Sequence, residues 1–222
     1  MTKVIAIEGI DGSGKSVQFK RLAENLAARG FTVEMREYPV YEKGFFGAQA
    51  GRYLANAEGI PADRVDGKSM ALWFALDRWE DMQDYRGDAD FLIINRYVLS
   101  NAVYQSIRDI DIDRPDIVDW VFELEYEHFH LPKADLFLFY DVAPAQAGEN
   151  VQKKGFRAYV GDGGDVYEKS GDIQSRARGK YLACAARRKD VAVVQCMKDG
   201  VFQSVDAIAA KTLSVLEAKG IL

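Results

Sequence analysis

The chain has 222 residues, of which 48% are apolar and 28% charged, and its formal net charge is −5. That balance excludes a disordered, collagen-like or low-complexity chain and is a poor signal for nucleic-acid binding. A chain of this length buries a core without disulfide or metal staples, so a single α/β domain over residues 1–222 is expected.

Val4–Ile7 is a short apolar run that reads as a strand, and Gly9–Gly14 breaks it. Phe19, Leu22, Ala23 and Leu26 then recur at helical spacing, with Gly30 as a stop signal. Phe31–Met35 alternates as a second strand, and residues 39–65 read as irregular. Met70–Met82 reads as a buried helix, Phe91–Ile94 as a strand, and Tyr97–Ile107 and Asp116–Phe129 as helices. Leu136–Tyr140 and Val191–Gln195 complete five strands, and Ala207–Leu216 is a closing helix. Strands separated by helices predict a parallel sheet covered on both faces, a three-layer α/β/α arrangement. The longest apolar run, Met70–Leu76, is far shorter than the roughly 18 residues of a membrane span. The N-terminal apolar stretch meets Glu8 before it can form a signal-peptide core. Cys184 and Cys196 make neither a disulfide framework nor a metal spacing, so a cytoplasmic setting without a membrane partner is expected. Residues 153–189 hold ten Lys or Arg against four Asp or Glu, a basic surface suited to a small anionic ligand.

The sharpest signal is Gly9-Ile10-Asp11-Gly12-Ser13-Gly14-Lys15-Ser16, which fits G-x-x-x-x-G-K-[ST] between a strand and a helix. The glycines let successive backbone N–H groups turn onto phosphate oxygens, and the helix N-terminus adds partial positive charge. Lys15 places an ammonium on the β- and γ-phosphates, and Ser16 offers a hydroxyl to Mg²⁺. The expected nucleoside-triphosphate-binding set is Gly9, Asp11, Gly12, Ser13, Gly14, Lys15, Ser16 and Val17, with Mg²⁺ as cofactor. The loop alone does not separate a kinase from a GTPase, a motor or a regulatory ATPase. No Asn-Lys-x-Asp guanine motif is present in the sequence.

On the acceptor side, Phe74–Glu80 (FALDRWE) and Asn95–Gln105 (NRYVLSNAVYQ) resemble the acceptor-site motifs of thymidylate kinases. The segments Ile7–Ser16 and Asp135–Pro144 are similar to the same family's phosphate loop and the strand and turn before its lid. The resemblance implies a P-loop NTPase-type fold and phosphoryl transfer from ATP to dTMP, giving dTDP, with Mg²⁺. It also implies a homodimer and a mobile lid at about residues 150–165. Phe74 would stack on thymine while Arg78, four residues on and on the same helix face, donates to its O4. Taken without the resemblance, Phe74 is ordinary core and Arg78 a surface ion pair with Asp77 or Asp81. Arg96 follows a strand at the carboxyl edge of the sheet, where its fork would hold the acceptor phosphate. Asn101 would face the base, Tyr104 the sugar, Pro39 the thymine methyl and Tyr41 the sugar or phosphate. Asp11 would point at the acceptor sugar and its bound water or Mg²⁺. Lys153, Lys154 and Arg157, ahead of Gly163-Gly164, would fold catalytic cations over the phosphates.

Four positions depart from the family pattern. Gly12 stands where some members carry a catalytic Arg, and Val40 where an Arg is common. Asn95 stands where an Asp is usual, so it can orient a Mg²⁺-bound water but brings no charge. Asn150 stands near the place of an adenine-stacking Arg. The reading that follows is a transferase of nucleotide biosynthesis, a dTMP kinase acting on small-molecule nucleotides. The alternatives are a kinase for another deoxynucleotide or a deoxynucleoside, or a non-catalytic P-loop nucleotide-binding protein, which Asn95 favours. Arg96 favours a nucleotide acceptor over a nucleoside.

Overall fold

The runs Ile5–Ile7, Phe91–Ile94 and Leu136–Tyr140 show no polar alternation and are buried, as the central strands of a parallel sheet must be. A computed structural model of the chain describes residues 1–57, 59, 62–108, 111–152 and 171–222. Its strands are β1 (Lys3–Glu8), β2 (Val33–Glu37), β3 (Phe91–Asn95), β4 (Leu136–Asp141) and β5 (Val191–Gln195), with a small antiparallel pair β6 (Met197–Lys198) and β7 (Val201–Phe202). Its main helices are α1 (Lys15–Ala28), α2 (Phe45–Leu54), α3 (Gly67–Asp81), α4 (Val98–Gln105), α5 (Val118–Glu123), α6 (Pro144–Gln152), α7 (Gly171–Arg187) and α8 (Val205–Ala218). The large sheet is parallel throughout in the order β2-β3-β1-β4-β5. Helices α1 and α8 pack on each other and on the strands, while α2, α3, α4, α5 and α7 form a second contiguous set. The expected five-stranded, doubly covered sheet is therefore present. Among the described residues no helix is long and apolar enough to cross a membrane.

The order places β1 between β3 and β4, so the chain leaves β1 toward β2 and returns to fill the gap with β3. A crevice opens at the carboxyl ends of strands where the order reverses in this way. The glycine loop follows β1 and Arg96 follows β3, and Ile7 pairs with Asn95 across that crevice.

Several elements differ from the sequence expectation. The second strand lies two residues later than Phe31–Met35, because β2 is an edge strand whose alternation of half-buried and exposed residues is weak. The stretch 39–65 is not irregular throughout; it holds α2, whose Gly47 and Gly51 depress helix propensity but allow close packing. The helix expected over Asp116–Phe129 breaks into α5 and a wider π turn, Leu124–His128. Helices α6 and α7 bracket the expected lid. The lid itself, with Lys153, Lys154, Arg157 and Gly163-Gly164, lies outside the described residues.

Candidate active site

Gly14 is the N-cap of α1 with φ +84°, and Gly12 has φ +81°. Side chains rarely adopt these angles, which turn the loop so that its N–H groups face one side. A Cβ at position 12 would fall 2.0 Å from the Ala147 carbonyl oxygen on α6. The place of a loop arginine is thus closed in this chain by its own packing. Asn150 on α6 donates to the Gly12 carbonyl at 3.0 Å, which ties α6 to the loop. The Lys15 ammonium donates to the carbonyls of Gly9 (2.9 Å) and Ile10 (2.7 Å).

Arg96 holds a left-handed backbone with φ +64°, unusual for a side chain of its size and a local strain of the kind found at functional sites. Glu8, the last residue of β1, supports it. Its Oε1 accepts from the N–H of Tyr97 (2.9 Å) and Ser100 (3.3 Å), while Ser100 Oγ and Tyr181 Oη donate to Oε2. Glu8 therefore caps α4, whose own N-cap residue makes no side-chain cap. Complete burial pushes its carboxyl above the usual carboxylate range, against the pull of those donors. The Arg96 guanidinium pairs with Asp11 and lies over the Tyr104 ring, 5.4 Å from its centroid. Burial opposes its charge, but Asp11 together with Tyr104, Tyr181 and Glu8 outweighs that and holds it more firmly protonated than usual. Gln174 on α7 reaches into the same group, accepting from Tyr104 Oη (3.1 Å) and donating to Asp11 Oδ2 (3.0 Å).

Arg78 is not a surface pair with Asp77 or Asp81. It is 2% exposed and forms a two-point bond with the buried Glu125, Nε to Oε2 at 2.6 Å and Nη2 to Oε1 at 2.5 Å. Asn101 Nδ2 donates to the same Glu125 Oε1 (2.8 Å) and to the Ala71 carbonyl (3.0 Å). Both acceptors fix the amide orientation, and Asn101 Oδ1 is left buried with no partner. Asp77 instead accepts from the Val40 N–H at 3.1 and 3.2 Å, which pins the Pro39–Tyr41 segment against α3. Burial raises its carboxyl to about 6.

One cleft of about 390 Å³ joins these groups. Asp11, Gly12, Gly14, Lys15, Ser16 and Val17 line one part, and Pro39, Tyr41, Phe74, Arg78, Asn101 and Tyr104 the other, with Asn95 and Arg96 between them. Gly9 and Ser13 are not among its walls. Glu37 also lines the cleft, hydrogen-bonded by Asn95. The sequence reading missed Glu37, Glu125, Gln174 and Glu8. Glu125 sat inside an expected regular helix, and nothing in its pattern signals a π turn. Glu37 fell just beyond an expected strand end.

A glycine loop of this build serves many nucleotide-binding proteins, but few pair it with a base-sized pocket and an arginine on the neighbouring strand end. That pairing defines a P-loop nucleotide kinase. A family model described as thymidylate kinase matches residues 7–206. The chain is 32% identical over 187 residues to a thymidylate kinase of Mycobacterium tuberculosis, covering 83% of this chain and 86% of that one. It is 26% identical over 197 residues to a probable thymidylate kinase of Pyrococcus abyssi, covering 87% of each. A solved structure of a thymidylate kinase from Candida albicans superposes with a TM-score of 0.68 at 21% identity, covering 99% of this chain and 92% of that chain. The chain belongs to the thymidylate kinase family, ATP-dependent kinases that phosphorylate dTMP to dTDP.

Proposed function

We propose that this chain transfers the γ-phosphoryl group of ATP to dTMP, with the residues of the shared cleft in the following roles. The observation that carries the reading is one hydrogen-bonding edge beside the phosphate loop: Arg78 as donor and Asn101 Oδ1 as an unsatisfied acceptor. Thymine offers a carbonyl O4 and an N3–H, which match this pair; cytosine inverts both groups. Phe74 covers the ring, Pro39 meets the methyl, and Tyr41 and Tyr104 bound the sugar. Arg96 exchanges part of its contact with Asp11 for the acceptor phosphate, and Lys15 exchanges the loop carbonyls for the β- and γ-phosphates. The reaction asks the protein for positioning and charge neutralisation more than for covalent chemistry.

The residues present fit Mg²⁺. Asn95 Oδ1 is buried without a partner, the Ser16 hydroxyl lies nearby, and a hard cation held mainly by phosphate and water needs few protein oxygens. Ser16 would hold the ion, with Asn95 acting through water. When bound, Mg²⁺ would offset the negative charge of the phosphates. Lys153, Lys154 and Arg157 as lid cations rest on the sequence alone. A homodimer is part of the same proposal, supported by the large apolar side chains of Phe45, Leu72 and Trp79 left exposed on α2 and α3; its cytoplasmic setting rests on the sequence alone.

The test is Lys15→Ala. Phosphoryl transfer from ATP to dTMP falls by at least a hundredfold while far-ultraviolet circular dichroism stays unchanged; turnover within tenfold of the parent refutes the role of the loop.

A further inference from the structure

Three elements end together at the floor of the cleft. Ser16 lies on the first turn of α1, Asn95 is the last residue of β3, and Glu37 is the last residue of β2. The parallel register of β2 and β3 sets Glu37 directly beside Asn95. Asn95 Nδ2 donates to Glu37 Oε1 at 2.6 Å and comes within 3.5 Å of Ser16 Oγ. Asn95 is buried, and its Oδ1 has no partner. Glu37 is exposed to the cleft, and all three residues line it.

From the sequence, Asn95 left the metal end of the site without a negative charge. The fold supplies one from the neighbouring strand. We infer that Glu37 is the charged anchor for the divalent cation that accompanies the nucleoside triphosphate, with Asn95 as the neutral bridge between that carboxylate and Ser16. The inference rests on the reading of the cleft as a Mg·ATP site.

Chemistry favours the pairing. Mg²⁺ selects oxygen ligands and carboxylates above neutral ones. The donor edge of the Asn95 amide is turned to Glu37, which leaves its acceptor edge for a cation or the water around it. A carboxylate at position 95 would meet Glu37 at the present 2.6 Å with no proton between them, and like charges at that separation disfavour each other. A neutral residue at 95 is therefore what a carboxylate at 37 requires. Among the described residues no group of three His, Cys, Asp or Glu is gathered to hold a metal by itself. The nucleotide's phosphates must supply most of the ligands, and one added negative charge then weighs heavily.

Glu37→Gln separates this role from a structural one, because glutamine keeps an acceptor for Asn95 Nδ2 and removes only the charge. The probe is Mn²⁺, titrated by electron paramagnetic resonance into protein saturated with a non-hydrolysable ATP analogue. The parent, Glu37→Gln and the double variant Glu37→Gln/Asn95→Asp are compared. Analogue affinity without metal is measured alongside. The expected result is a Mn²⁺ dissociation constant at least fivefold weaker in Glu37→Gln, with metal-free analogue binding no weaker than in the parent. The double variant, which moves the charge to β3, returns the constant to within threefold of the parent. A Glu37→Gln constant within twofold of the parent overturns the inference and leaves the nucleotide site standing. A loss that the double variant fails to recover overturns it too, since the charge would then not be the active feature. A parent protein that binds no Mn²⁺ with the analogue overturns the Mg·ATP reading, and the inference with it.

Discussion

Glu125→Gln is the sharpest structural perturbation of the proposed base-binding edge. All three neighbours of this carboxylate are donors: Arg78 Nε, Arg78 Nη2 and Asn101 Nδ2. A glutamine turned either way must aim its NH₂ at one of them. The change also strands the Arg78 charge, which is 2% exposed. Removing one partner of a buried ion pair costs about 3–5 kcal/mol. That is a large share of a typical domain's roughly 5–15 kcal/mol. At about 2–4 °C per kcal/mol for a chain of this size, the melting temperature should fall by roughly 6–20 °C. Urea unfolding at neutral pH measures the loss directly. Glu127→Gln is the internal control: its pair with Lys133 at 2.7 Å is exposed on both sides, where solvent screens the attraction, and its loss should leave stability nearly unchanged. Replacing both buried partners, Arg78→Met with Glu125→Leu, should recover most of the stability that the single change loses, although not dTMP binding. A Glu125→Gln loss below about 1 kcal/mol, or one equal to that of Glu127→Gln, would show that the buried Arg78–Glu125 pair does not hold this edge together.

Two further outcomes are expected. Asp77 has its folded-state value raised from 3.8 to about 6, so the native state holds a proton in that window that the unfolded chain has released. Its contribution is complete below about pH 4 and lost as the pH rises through 6; the stability of Asp77→Asn relative to the parent should therefore grow by up to about 3 kcal/mol from pH 4 to 7, and a constant difference in urea titrations contradicts this. Sedimentation velocity at micromolar concentration should give a species of twice the chain mass, shifted toward the monomer by Phe45→Asp; a monomer in the parent removes the homodimer.

Most of the sheet was legible because buried parallel strands are written as unbroken apolar runs, as in Phe91–Ile94 and Leu136–Tyr140. The edge strand β2, with its charged VEMRE sequence, gave a weaker period and was displaced by two residues. The phosphate loop is legible for a different reason, since its chemistry demands fixed residues at fixed spacing. The proposed acceptor edge was half legible. Phe74, Arg78 and Asn101 could be named and do line one cleft, but the Glu125 that orients two of them depends on a π turn, a backbone detail without a residue signature. Glu37 was invisible for a third reason: its meaning comes from strand register, which pairs it with a residue 58 positions away.

If one cleft reads a triphosphate and a thymine edge together, turnover depends on both at once. The direct measurement is ADP release from ATP and Mg²⁺, coupled to NADH oxidation, with dTMP, dUMP, dCMP, AMP and thymidine as separate acceptors. The expected result is highest kcat/KM on dTMP, roughly ten- to a hundredfold above dUMP, since one methyl group is worth about 1–3 kcal/mol. The margin over dCMP should be larger, because both Arg78 and Asn101 face the wrong groups, and thymidine should give no turnover. Equal kcat/KM on dTMP and dCMP, or faster turnover of thymidine than of dTMP, would contradict it.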